Sequence, residues 1–529
     1  MGKLGTGKSR AFLPELHMNN DCKPELIDSA NDATQAAREN TKKGGANLML
    51  KKWTKRAAYF VVFILLGVLG TRIFDIQSQP ELQIWHTFVP HEMTAQDIDK
   101  ASWEDYIKAE DSLFKEVRAA VTDKLESRQQ VPLNRYYAKS STYPEHFSRD
   151  WNRSYILKPQ GQPKGAVVLL HGLTDSPYSL RHIAVNYQQQ GYVAVGIRLP
   201  AHGTVPGALT DVEWQDWLAA TRLAVREAKA LSGKNLPLHI VGYSNGGALA
   251  MKYTLDALDN PLLAKPQQLV LISPMIGLTA YARFAGIAGW PAVFPAFAKA
   301  AWLGIVPEYN PFKYNSFPVN AARQSYELTQ ALQKQIMTDA RAHRLQALPP
   351  VLTFQSVVDS TVSSSAVISA LYDNLPANGS EIVLFDLNQA ATVMPLMRPS
   401  SYTALSRLLP PPPRKYGVTV ISTITPTTTE TEARITPVGE EHERVEPLGI
   451  RYPVDVFSLS HIALPYPTTD SLYGSEPQPR NQFGISLGTF AARGERSVLA
   501  VELDALMRMS SNPFFPYMLK RIDQQMTTE

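Results

Sequence analysis

Downstream of residue 136 the chain alternates short apolar runs with longer amphipathic stretches. The runs at 166–170, 192–197, 238–242 and 268–272 are almost wholly apolar and bounded by turn residues, so they read as buried strands. The stretches at 178–190, 213–231 and 246–258 carry apolar residues at helical spacing. Strand and helix in alternation predict a mostly parallel central sheet covered by helices on both faces, an α/β fold. Two more apolar runs, 351–358 and 382–385, continue the series. Residues 275–348 interrupt it with an apolar, aromatic segment at 281–302 that Pro and Gly break too often to span a membrane.

The remaining segments have other patterns. Residues 389–446 hold Pro410–Pro413, a Thr-rich tract and a charged run at 440–444, and read as a surface insertion with a hairpin near 417–425. Residues 447–529 supply the last core part, with a strand-like run at 454–459 and a broken helix at 507–522. The polar, Tyr-rich stretch 135–158 predicts irregular early strands. Residues 76–135 show helical periodicity with many charges and predict a helical spacer.

Residues 57–71 are uncharged and mostly apolar, and Lys51, Lys52, Lys55 and Arg56 precede them. Such a run spans about 22 Å, short of a bilayer core of about 30 Å, but Ile73, Phe74 and snorkelling arginines extend it. The expectation is an uncleaved transmembrane anchor over 57–75 that follows a polar cytoplasmic tail, 1–56. The positive flank then sets the topology: a single pass through the inner membrane, with the bulk of the chain extracytoplasmic. A cleaved signal peptide and a buried helix are the competing readings, and translation from Met49 competes with Met1. Residues 2–9 match a P-loop spacing literally but lack the strand that a nucleotide site needs, so no nucleotide cofactor is expected.

Charge narrows the function. The formal net charge is +4, and the first 56 residues carry 11 Lys and Arg against 6 Asp and Glu. The rest of the chain is near neutral, which argues against a nucleic-acid partner. Cys22 is the one cysteine, so no disulfide within the chain and no cysteine-based metal site is expected.

The chemistry concentrates at Gly242-Tyr243-Ser244-Asn245-Gly246. An apolar run precedes it and a small-residue helical stretch follows, which is the setting of a nucleophile elbow. Chain order then asks for an acid and a histidine downstream. Asp359 ends the run 351–358 and precedes a helix-prone stretch; Asp386 and Asp455 are its rivals. Of the later histidines, His461 begins a loop after a strand-like run, whereas His343 and His442 lie in charged, solvated stretches. The backbone N–H of Asn245 and that of Leu173, in the His171-Gly172-Leu173 turn, are the two candidate oxyanion donors.

Together His171-Gly172-Leu173, Arg198-Leu199-Pro200-Ala201-His202-Gly203, the Ser244 elbow, Asp359-Ser360-Thr361-Val362 and Ser460-His461 resemble α/β-hydrolases of the monoacylglycerol lipase and serine aminopeptidase type. The resemblance spans roughly 160–388 and 450–465. It implies ester hydrolysis through Ser244, Asp359, His461 and an acyl-enzyme, without metal or cofactor. It also implies a lid at 275–348 over a small hydrophobic acyl substrate, between core parts at 136–274 and 349–388. An aminopeptidase-like activity and a non-catalytic envelope binding protein on the same fold are the alternatives. The chain departs from the family at Ala201, where a glycine is usual, in the long stretch between acid and histidine, and at both ends.

Overall fold

The computed structural model describes residues 52–64, 67, 70–71, 74, 77–277, 295–490 and 501–527. The chain falls into two units, Met1–Ser78 and Gln79–Glu529. In the first, residues 52–64 are helical and Tyr59, Phe60 and Phe63 are exposed. Among the described residues no helix is long and apolar enough to cross a membrane. The anchor expected at 57–75 lies partly outside the described residues, as does most of the apolar stretch 281–302.

The second unit is built on a ten-stranded sheet. Its strands are β1 (Tyr155–Leu157), β2 (Gly165–Leu170), β3 (Tyr192–Ile197), β4 (Leu238–Tyr243) and β5 (Gln268–Ile272), then β8 (Val351–Ser356), β9 (Glu381–Phe385), β10 (Gly417–Thr423), β11 (Glu430–Thr436) and β12 (Arg444–Arg451). Two short strands, β6 (Trp302–Gly304) and β7 (Phe317–Pro318), pair separately. The order across the sheet is β1-β3-β2-β4-β5-β8-β9-β10-β11-β12. From β3 to β10 every neighbouring pair is parallel. At the two ends β1, β11 and β12 pair antiparallel.

Strand pleating sorts the side chains. Ala166, Val168, Leu170, Leu238, Ile240, Leu269 and Leu271 face one layer, packed with the helices Trp214–Ser232, Asn245–Asp259 and Val319–Arg341. Val167, Leu169, Val241, Val270 and Ile272 face the other, under the helices Arg181–Gln189 and Phe515–Thr527. A strand buried on both faces needs no polar alternation, which is why these runs are continuous in the sequence.

Three expectations are corrected. Residues 76–135 are not a spacer: the helices Ala95–Lys100 and Trp103–Ala120 bury Ile98, Tyr106 and Val117 in the main core. Their charged residues are also used, since Glu92 and Glu110 both pair with buried Arg198. Residues 389–446 are not a surface insertion throughout, because β10 is buried along its whole length and extends the central sheet beside β9. Its threonines read as polar, yet they are β-branched, and Thr419 finds a partner inside the fold at Glu381. The run 454–459 is not a strand; the chain from Tyr452 to Gln482 is irregular.

Candidate active site

Ser244 sits between β4 and the helix Asn245–Asp259 with φ 55° and ψ −115°. An L-residue adopts such angles only where its surroundings impose them. Here the Ser244 N–H is held by the carbonyl of Ile272 on β5 (3.0 Å), and its own carbonyl accepts from Gly247 and Met275. The glycines of the elbow are required sterically. A Cβ at Gly246 would overlap the Leu170 carbonyl, and one at Gly242 would overlap the Gly246 carbonyl. The serine side chain is thereby presented to a cavity of about 400 Å³ that His461 also lines.

His461 Nδ1–H donates to Asp359 Oδ2 at 2.8 Å. A carboxylate can only accept, so this bond fixes the tautomer and leaves Nε2 as the free acceptor. The Asp359 side chain has no solvent exposure. Burial would raise its pKa, but the His461 charge and hydrogen bond, with the amides of Val362 and Thr361, hold it below the usual carboxylate value. Those amides reach Oδ1 at 3.0 and 2.8 Å, and Gln355 approaches Oδ2. The histidine loop is tied at two points: Tyr243 Oη donates to the His461 carbonyl, and Ser460 Oγ donates to the carbonyl of Arg508.

Leu173 lines the same cavity, and Gly172 comes so close that a Cβ there would lie 3.2 Å from the Ser244 Cβ. Among the described residues neither the Leu173 N–H nor the Asn245 N–H has an acceptor. His171 has no chemical part in this. Its Nδ1–H donates to the Gly172 carbonyl and its Nε2 accepts from the Leu199 N–H, so it stitches two loops. Burial first, and the neighbouring His202 next, keep its pKa far below the ordinary value, so it stays neutral. Ala201, in the position of a family glycine, has φ 66°. Its strained backbone is held by Glu92, which accepts the Ala201 N–H at 2.8 Å.

The rival residues lie elsewhere. Asp455, His343 and His442 are exposed. Asp386 is engaged through its backbone with Ile421 and Tyr452, not with a histidine. What the motifs did not mark are Tyr243 as a tether and two cations in the cavity wall, Lys313 and Arg508. The second residue of the elbow motif was the available signal for Tyr243; neither cation belongs to a motif. Part of the segment expected to form a lid, Lys313, Tyr314, Asn315 and Phe317 with Ala322 and Ser325, does line the cavity. Among the described residues there is no cluster of His, Cys, Asp and Glu suited to a metal ion. A larger groove of about 750 Å³, lined by Lys164, Lys229, Lys234 and Lys265, holds none of the candidate catalytic residues.

Residues 161–387 match the family described as serine aminopeptidase, S33. This part of the chain is similar to the α/β-hydrolases of that family. The chain is also similar to the thermostable monoacylglycerol lipase of Bacillus sp. (strain H-257), with 33% identity over 86 residues. That similarity takes in 16% of this chain and about a third (33%) of the relative's length. Among solved structures, a metagenome-derived lipolytic enzyme of the LipS and LipT study aligns with 21% identity and a TM-score of 0.35, over 44% of this chain and 86% of its own. A soluble variant of monoglyceride lipase from Saccharomyces cerevisiae, in complex with a substrate analogue, aligns with 16% identity and a TM-score of 0.33, over 44% and 81%.

Proposed function

We propose that the chain is a serine hydrolase that cleaves carboxylic esters of acyl substrates. The observation that carries this reading is the Asp359–His461 hydrogen bond facing, in one cavity, a serine held on a strained elbow. In the proposed reaction Ser244 Oγ attacks the ester carbonyl and its proton passes to His461 Nε2. The oxyanion is received by the N–H groups of Leu173 and Asn245. The C–O bond of the ester breaks, and the alcohol leaves with the proton from His461. Water, deprotonated by the same imidazole, then releases the acid and restores Ser244.

Esters are favoured over peptides with a free amino terminus. An aminopeptidase needs an acidic group to receive the substrate ammonium, and among the described residues the cavity wall supplies Lys313 and Arg508 and no carboxylate. The name of the Bacillus relative supports the same preference. Ser244→Ala is expected to lower p-nitrophenyl ester hydrolysis by about a thousandfold or more with the melting temperature retained. Near-normal hydrolysis by a folded Ser244→Ala protein sinks the assignment, and a wild-type protein that no fluorophosphonate labels points to a non-catalytic role.

We also infer an N-terminal membrane anchor with the hydrolase domain on the extracytoplasmic side. The basic flank and the apolar run 57–71 support it. The protein should stay with membranes through a high-salt wash, and release by salt would count against an anchor.

A further inference from the structure

The cavity that holds Ser244 and His461 is lined by two cations whose charge the fold leaves largely open. Among the described residues the Lys313 ammonium makes no salt bridge and no hydrogen bond; its backbone carbonyl accepts from Arg135. Arg508 donates to a neutral group, the Thr361 hydroxyl (2.5 Å), and makes no salt bridge. Among the described residues no Asp or Glu stands in the cavity wall. Lys313 and Arg508 are partly exposed, whereas the buried arginines are neutralised: Arg198 is met by Glu92 and Glu110, and Arg181 by Asp470.

We propose that Lys313 and Arg508 bind an anionic group, a carboxylate or a phosphate, carried by the ester substrate next to its scissile carbonyl. This rests on the serine-hydrolase reading above and names its substrate class. Two cations gathered around a reaction centre repel each other unless something negative joins them, and such a site is stabilised by an anion that enters. Burial depresses the Lys313 ammonium; Asp175 opposes that shift, and the Arg508 charge adds to it by a smaller amount. Asp359 is engaged by His461 and two backbone amides and does not line the cavity. The other nearby carboxylate, Asp175, is buried and does not line it either. Burial raises its carboxyl to about 6, with the Lys313 charge opposing the rise. Neither carboxylate faces the cavity, so among the described residues Lys313 and Arg508 are the charges that its wall presents to a substrate.

The two cations also come from places suited to specificity. Lys313 belongs to the segment between β5 and β8, and Arg508 ends the helix Leu503–Arg508. Arg508 is joined through its carbonyl to Ser460, next to the catalytic-candidate His461, and through its guanidinium to Thr361, two residues from Asp359. An anion held there is held in register with the triad candidates.

The test uses the full chain in detergent and substrates in matched pairs. One pair is 1-oleoylglycerol and 1-oleoylglycerol 3-phosphate, which places a phosphate on the alcohol side. The other is p-nitrophenyl hexanoate and mono-p-nitrophenyl adipate, which places a carboxylate on the acyl side. In at least one pair the anionic member should have the higher kcat/KM, by about tenfold or more, the scale of one charge-assisted hydrogen bond. In Lys313→Gln and in Arg508→Gln that preference should shrink by about tenfold, chiefly through KM, and Lys313→Arg should retain most of it. Each variant is compared with itself across a pair, so a loss of folded protein cancels. A neutral preference in both pairs, or a preference that neither glutamine variant alters, overturns the proposal. If fluorophosphonate labels Ser244 but neither anionic ester is hydrolysed, the proposal alone fails; if Ser244 is not labelled, the hydrolase reading fails with it.

Discussion

Among the described residues two aspartate–histidine pairs have nearly the same bond length and different surroundings. His461 donates to Asp359 at 2.8 Å, and His182 donates to Asp470 at 2.9 Å. Asp470 is saturated: one oxygen accepts from Leu472, Tyr473 and the Tyr178 hydroxyl, and the other from His182 and Arg181. Asp359 accepts from neutral amides and from its histidine, with no arginine or lysine among its partners. Its charge is therefore left to act on the imidazole, whereas that of Asp470 is already spent on a guanidinium. The second difference is space. His461 faces a cavity shared with a serine, while His182 packs against Phe515 on a helix face. A carboxylate–imidazole contact is thus no sign of catalysis by itself; an unneutralised acid and an open nitrogen beside a nucleophile are.

The largest effect that would break this contrast lies at Asp359. Asp359→Asn keeps an oxygen for the Thr361 and Val362 amides but cannot stabilise an imidazolium or hold the right tautomer. Ester hydrolysis should fall by about 10³- to 10⁴-fold while the melting temperature stays within a few degrees. Asp386→Asn, which alters no contact to His461, should leave kcat/KM within about threefold. The reverse ranking in a kinetic assay would make Asp386 the acid.

Asp470→Asn should do the opposite. It aims an amide at buried Arg181 and leaves that guanidinium without a counter-charge, a change worth roughly 3–5 kcal/mol of stability. Urea unfolding should show that loss, while activity per folded molecule persists. A stable Asp470→Asn protein without activity would put the second pair into the chemistry and erase the distinction drawn above.

A smaller effect is expected from pH. Burial holds His86 and His202 neutral, with pKa values lowered to about 4. The unfolded chain takes up these protons near pH 6.5, so it binds more protons than the folded chain between about 6.5 and 4. Stability should therefore decline as pH falls through that window, by at most about 1.4 kcal/mol per pH unit for each histidine. Denaturant midpoints that stay flat from pH 6.5 to 4 would show that these rings are hydrated or charged in the folded protein.

The parts of the fold legible in the sequence are those where local pattern and global burial agree. Strands β3 and β5 coincide with their apolar runs because both faces are covered and nothing polar interrupts them. The elbow was legible because its G-x-S-x-G spacing lies between an apolar strand run and a small-residue helical stretch, although the contact that requires Gly246 comes from Leu170 on the neighbouring strand. Strand β10 was hidden by its threonines and serines, whose burial depends on a neighbour, β9, that only the folded chain supplies. Glu92 and the charged helices at 95–120 look solvated until Arg198, far along the chain, is seen to take Glu92 and Glu110. Lys313 and Arg508 belong to no motif, and only tertiary folding brings them to one wall.

The strand order has a last consequence, for how copies of this molecule meet. A sheet that ends in an open strand offers a row of unused N–H and C=O groups to any passing chain, and long, flat, apolar edges recruit one another into aggregates. One rim here is β1, three residues long. The other is β12, largely solvated, with Arg444, Glu446 and Arg451 along it and Pro447, which has no N–H to lend, opposite Glu432. The antiparallel hairpin that the chain adds beyond β10 thus moves the sheet's boundary from an apolar strand to a charged, proline-interrupted one, a rim poorly suited to adhesion.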